Sequence, residues 1–312
     1  MSSVLQLVPL PAPAYRIPTD LEVTQAAELT SVPEWLAEHG PKVAAVVTHS
    51  YHGMPPELWG LLPRLRLVAN FGVGLDRIDL ALASQRRVSV TYTPDLLTSD
   101  VADLALGLLL TLLRRILPAD AYVRGGAWGK ESFPAGHSLT GRRLGILGMG
   151  RIGKAIAHRA AAFDLQVAYY SRSAVEGPYE RFNTIEGLAT WADVLVAALP
   201  GGDQTYHAVN RQVLRALGPN GLFVNVARGS VVDESALLEA LRTGAIAGAG
   251  LDVYDRQPHD GSQFRDFGNV VLTPHLGSLT LETRTAMAES VYSNVRAALR
   301  GEALRNLASG PL

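Results

Sequence analysis

The chain of 312 residues contains no cysteine. Disulfide frameworks, thiolate zinc sites and cysteine nucleophiles are therefore excluded, and a reducing, cytoplasmic setting is the expectation. Net charge is nearly absent as well: 28 Lys and Arg against 29 Asp and Glu leave −1. Such a balance carries no footprint for nucleic acid or for an anionic membrane surface. Long apolar runs are also missing. The longest, residues 104–113, is closed off by Asp103 and Arg114 and reads as a buried helix, too short for a bilayer. None of the eight histidines stands in an H-E-x-x-H or similar spacing, so no metal is expected. Residues 1–18 lack a basic n-region and are broken by prolines, against a signal peptide. What is plentiful is apolar bulk, 47% of residues with 18% charged, enough for two packed domains.

The most informative stretch is LGILGMGRIG at 144–153. A short apolar run breaks at Gly148, and Gly148, Gly150 and Gly153 stand in the G-x-G-x-x-G spacing before a helix-compatible run. In a strand–turn–helix context the first glycine makes the tight turn. The second lets backbone approach a pyrophosphate, and the third lets the helix lie close to the strand. The helix N-terminus then points free N–H groups at the phosphates.

On either side of this stretch, β-branched runs alternate with helical pieces. Residues 4–9, 42–48, 66–70 and 88–92 read as strands, with helices around 32–38 and 56–62. A long helix is expected over 100–116 and a glycine- and aromatic-rich segment over 125–138, with Trp128 and Phe133. That segment reads either as an arm against a partner subunit or as a loop over its own domain. Strands are then expected at 143–147, 166–170, 194–198, 222–225, 248–251 and 269–272, and a closing amphipathic helix at 281–300. The rhythm predicts an α/β protein with doubly wound parallel sheets.

Taken in order, NFGVGLD at 70–76, the glycine turn at 148–153, VNVARGSVVDE at 224–234, GLDVY at 250–254 and TPHLGS at 273–278 resemble the D-isomer-specific 2-hydroxyacid dehydrogenases over nearly the whole chain. The likeness is greatest to their hydroxypyruvate/glyoxylate and hydroxyphenylpyruvate reductase branch. The resemblance implies two Rossmann-like domains, with the cofactor domain (99–281) inserted in a discontinuous substrate domain (1–98 and 282–312). It also implies a cleft between them and a homodimer.

The residues themselves suit that chemistry. Arg228 follows the strand at 222–226, and its planar fork can hold a 2-oxo acid's carboxylate and polarise its carbonyl. His275 follows another strand, and an imidazole with a pKa near ~6.5 can supply the proton that the alkoxide needs. The resemblance gives both residues these roles. It puts Val73 and Gly74 on the substrate carboxylate, where a backbone nest suits a small anion. His49 and His52, at a strand end of the first domain, are rival imidazoles that can line the cleft, and Tyr51, with Trp128 and Phe133, can shape an apolar pocket. The other histidines, at 39, 137, 158, 207 and 259, read as solvated or structural. Arg151, Ile152, Pro200, Val226, Ala227, Asp252 and Gly277 are expected, by resemblance, along the cofactor.

Two departures matter. Where the family carries a glutamate before the proline at 258, this chain has Gln257, which can accept from imidazole but brings no charge. Formate dehydrogenases of the superfamily use glutamine here, so formate oxidation stays an alternative. So do an aryl-pyruvate reductase and a dinucleotide-responsive binding protein. After the strand at 166–170 stands Ser171-Arg172-Ser173 in place of the acidic residue that accepts from an NAD ribose. That predicts NADPH, with NADH open. The leading expectation is an acid-shifted reductase of glyoxylate and hydroxypyruvate.

Overall fold

The structure, a computed structural model, describes residues 3–12 and 15–308. Residues 1–2, 13–14 and 309–312 of the expected substrate domain lie outside them. The chain divides into two compact units, Met1–Leu97 with Leu279–Leu312, and Thr98–Ser278.

The first unit holds a five-stranded sheet of β1 (Ser3–Gln6), β2 (Val23–Gln25), β3 (Val43–His49), β4 (Leu67–Phe71) and β5 (Ser89–Thr91), in the order β2-β1-β3-β4-β5. Every pairing is parallel. β4 is buried along its whole length and β3 along all but its last residue, as continuous β-branched runs should be when both faces are covered. The helix Leu281–Arg300 packs on β3 and β4. Thr280 caps its start by accepting from the Thr283 N–H at 3.2 Å, and Gly301 ends it in the left-handed conformation. Met287, Ala288, Val291, Tyr292 and Val295 form its buried stripe.

The second unit holds seven strands: β6 (Arg143–Leu147), β7 (Gln166–Tyr170), β8 (Glu180–Arg181), β9 (Val194–Ala197), β10 (Leu222–Asn225), β11 (Gly248–Leu251) and β12 (Val270–Leu272). Their order is β12-β11-β10-β9-β6-β7-β8, again all parallel. The doubly wound α/β architecture expected from the alternating pattern is therefore present in both units. Its order reverses between β6 and β9, and in the first unit between β1 and β3. Those reversals open the sheet's carboxyl edge to ligands.

The long helix differs from its expected span. It runs Thr98–Arg114, Arg115 takes the left-handed conformation (φ 54°), and a second helix follows over Ile116–Arg124. The first helix buries seven side chains and the second none, so the break falls where the buried stripe ends. Pro118, in the first turn of the second helix, cannot donate to a continuing ladder and fits a fresh start instead. In the segment 125–138, Phe133 packs on Tyr122 with ring centroids 5.2 Å apart, while Trp128 is 76% exposed. Among the described residues no helix is long and apolar enough to cross a membrane.

Candidate active site

The glycine turn leaves β6 at Gly148, whose φ is +96° and whose N–H donates to Tyr170 O at 2.8 Å. A Cβ on Gly148 would stand 2.8 Å from Ala198 O, and one on Gly153 would stand 2.0 Å from Gly148 O. Side chains at these two places would push the turn off the neighbouring loop and the helix off the strand. Gly150 differs. It caps the helix Arg151–Ala162 without any side-chain acceptor, and a Cβ there would meet nothing within 4 Å. The N–H groups of the first turn, Arg151 and Ile152 included, thus face space that a pyrophosphate can fill. Pro200 lies on the loop after β9, across the reversal in strand order, where Thr205 Oγ1 donates to its carbonyl at 2.7 Å.

At the end of β7, Ser171, Arg172 and Ser173 form an exposed turn with no carboxylate in it. Arg181 of β8 donates to Ser171 O at 2.9 and 3.1 Å and to Arg172 O at 2.9 Å, and Arg172 reaches Gln204. Two guanidiniums and two hydroxyls therefore gather at the turn that ends β7. The donor set fits a phosphate and offers a 2′-hydroxyl no carboxylate acceptor. Arg181 has no signal in the sequence beyond its charge, because β8 is two exposed polar residues.

Val226, Ala227 and Arg228 follow β10. Asn225, 1% exposed, braces that turn by accepting from Ala227 N at 3.0 Å and donating to Arg228 O at 3.0 Å. Arg228 is extended and sends Nη1 to Ala227 O at 2.7 Å.

His275 stands after β12 in the left-handed conformation (φ 54°), a strained place for a non-glycine residue. What holds it there is Asp252. This buried aspartate accepts His275 N–H on its carbonyl at 3.0 Å. Its Oδ1 accepts from Leu276 N and Thr273 Oγ1, both at 2.6 Å, and its Oδ2 accepts from Gly277 N at 3.0 Å. Burial pushes this carboxyl above the usual range, and these donors oppose the shift. Asp252 is thus the anchor of the His275–Gly277 loop, a role the sequence did not mark.

The imidazole Nδ1 lies 3.1 Å from Gln257 Oε1. Gln257 Nε2 donates to Tyr254 O at 3.3 Å, which fixes the amide's orientation. Tyr254, its hydroxyl pushed by burial to about 12, stays a donor and reaches Leu251 O (3.1 Å) and Thr273 O (2.9 Å). Its ring stacks on His259, with centroids 4.6 Å apart. Glu234 accepts from Asp255 N at 3.0 Å and from Gln263, and stands 3.6 Å from His259 Nε2. The loop that carries Gln257 is therefore pinned by Glu234, Tyr254 and His259.

In the first unit, the turn after β4 is held by Asn70. Its Nδ2 donates to Ser50 Oγ (3.2 Å), Gly72 O (3.2 Å) and Gly74 O (3.0 Å), while Gly72 N donates to Thr93 Oγ1 at 3.0 Å. The N–H groups of Val73 and Gly74 meet no acceptor among the described residues. Beyond β3, His49 Nδ1 accepts from His52 N at 3.2 Å, and Tyr51 packs edge-on against His49. Burial pushes both histidines below the ordinary imidazole value, with Arg77 adding to the effect on His52.

The family model "D-isomer specific 2-hydroxyacid dehydrogenase, NAD binding domain" matches residues 106–277. The chain is 46% identical over 272 residues to hydroxyphenylpyruvate reductase of Plectranthus scutellarioides, covering 87% of each. It is 45% identical over 270 residues to a glyoxylate/hydroxypyruvate reductase of Arabidopsis thaliana, covering 86% of each. Among solved structures, an NADPH-dependent glyoxylate/hydroxypyruvate reductase of Sinorhizobium meliloti, in complex with NADP and malonate, superposes with a TM-score of 0.90. The identity is 39%, over 99% of this chain and 97% of that one.

Proposed function

Since this chain belongs to the D-isomer-specific 2-hydroxyacid dehydrogenase family and is a nicotinamide-dependent reductase of 2-oxo acids, we propose that NADPH is its preferred reductant and that glyoxylate and hydroxypyruvate are its substrates. The second unit is then the dinucleotide domain and the first the substrate domain. When bound, the dinucleotide supplies a hydride. The glycine turn with Arg151 and Ile152 takes the pyrophosphate, Ser171, Arg172 and Ser173 take the 2′-phosphate, and Pro200, Val226, Ala227, Asp252 and Gly277 line the rest.

Arg228 polarises the C2 carbonyl, and its positive charge steadies the oxygen as charge develops. His275 gives that oxygen its proton from Nε2. The observation that carries this role is the 3.1 Å contact between Nδ1 and Gln257 Oε1. A carbonyl acceptor keeps one proton on Nδ1, so the proton given from Nε2 is the second proton of the imidazolium. Val73 and Gly74 hold the acid group, and Tyr51 and His52 line the side chain.

The NADPH-dependent S. meliloti relative supports the choice of cofactor. The plant hydroxyphenylpyruvate reductase keeps an aryl pyruvate in view as a second substrate. A cytosolic homodimer completes the reading: the composition without cysteine fits a reducing compartment, and Trp128 offers exposed apolar area to a second copy.

The test is a panel of glyoxylate, hydroxypyruvate, hydroxyphenylpyruvate and formate, followed at the nicotinamide absorbance band. Hydroxypyruvate with NADPH is expected to turn over fastest. His275→Ala should cut kcat about 10²–10⁴-fold, the usual worth of a positioned general acid. Turnover by the wild type no faster than by His275→Ala would sink the catalytic reading.

A further inference from the structure

One buried charge in the first unit has no ion-pair partner among the described residues. Arg284 lies in the first turn of the helix Leu281–Arg300, is 6% exposed, and rests with its guanidinium carbon 5.3 Å from the centre of the Phe71 ring. Its Nε is buried without a hydrogen-bond acceptor among the described residues. Burial pushes the guanidinium below its usual value, with Tyr51 opposing the shift. A guanidinium removed from water is ordinarily paired with an acid, because desolvation otherwise outweighs every other contact it makes.

Its surroundings sharpen the point. Phe71 is the last residue of β4 and leads directly into the turn whose Val73 and Gly74 N–H groups meet no acceptor. His49, which feels Arg284, is held toward its neutral form by burial. Around this corner of the sheet the groups in excess are donors and positive charge. A neutral amide or alcohol does not answer a buried charge, whereas a carboxylate does, and its two oxygens match the planar fork.

We propose that Arg284 is a carboxylate-binding residue, completing with the Val73 and Gly74 amides a site for the acid group of a small 2-oxo acid. This rests on the reading of the chain as a 2-oxo acid reductase and sharpens it. The acid group is held by the first unit, and Arg228 is left for the carbonyl. The flat Phe71 ring under the guanidinium positions the fork without neutralising it. The arginine stays charged and available.

Calorimetric titration with malonate, an unreactive dicarboxylate, tests it on the full-length protein. Wild type is expected to bind. Arg284→Met should bind about 30-fold more weakly, the worth of a charge-assisted hydrogen-bonded contact. The same substitution should raise KM for hydroxypyruvate by a similar factor while NADPH affinity and kcat change little. Melting curves establish that the variant folds. Should it not fold, Arg284→Lys, which keeps the charge and loses the fork, is expected to bind malonate about 5-fold more weakly. Wild-type affinity in whichever of the two folds overturns the proposal. Malonate binding that depends on Arg284, in a protein that reduces no 2-oxo acid, would retain the carboxylate site and refute the enzymatic reading instead.

Discussion

Both ends of the Gln257 amide are committed, its nitrogen to Tyr254 O and its oxygen to His275 Nδ1. His275 can then donate from Nε2 only as the imidazolium, because its single neutral proton is held on Nδ1. A neutral acceptor adds no charge to stabilise that cation, whereas a carboxylate would favour it. Reduction therefore loses rate as pH rises through the imidazole's titration. Gln257→Glu should move that alkaline limb of kcat/KM for hydroxypyruvate upward by about one pH unit. A pH profile that stays in place would show that the partner of Nδ1 does not control the proton. At this scale the sequence marked Gln257 as an acceptor for the His275 imidazole, and the 3.1 Å contact bears that out. It was silent on Asn225, Asn70 and Asp252 as braces. Their partners are mostly backbone groups of neighbouring turns, and an amide or carboxylate that ties one loop to another has no periodicity to betray it.

Between elements, the loop after β11 depends on a helix it does not belong to. Glu234 opens the helix Glu234–Thr243, capped by Asp233, yet its carboxylate reaches out to Asp255 N–H, Gln263 and the vicinity of His259. Removing it leaves the Asp255 N–H without its acceptor and frees the segment that presents Gln257. Glu234→Ala should lower kcat about 10-fold, because small misplacements of a catalytic group are costly. Dinucleotide affinity, read by fluorescence titration, should remain unchanged. A normal kcat would mean that Tyr254 and His259 hold the loop unaided. The elements missing from the sequence reading follow the same logic. β8 has two exposed polar residues, β2 the half-buried Val23, Thr24 and Gln25, and neither carries an apolar run long enough to announce a strand. The break at Arg115 escaped because the residues on both sides favour helix, and only the change from buried to exposed marks it.

Over the whole molecule, both sheets obey one rule: the groups with candidate chemistry stand at or beyond the carboxyl ends of the strands. The alternation of β-branched runs with helical pieces made that architecture legible, because parallel strands buried on both faces read as uninterrupted apolar segments. The missing acid after β7, on which the NADPH proposal stands, was legible too, although the second guanidinium, Arg181, was not. The preference can be weighed on the intact protein without any turnover. A ligand that binds only the folded state stabilises it by RT ln(1 + [L]/Kd), about 2.7 kcal/mol at a hundredfold excess over Kd. At equal concentration NADPH should therefore raise Tm more than NADH does. Arg172→Ala should shrink the difference, and the double variant with Arg181→Ala should abolish it, since NADH lacks the phosphate that these guanidiniums answer. Equal shifts from the two dinucleotides in the wild type would reverse the assignment. They would leave the Arg172–Gln204 contact, with Arg181 on the carbonyls of the turn, as a purely structural clasp at the end of β7.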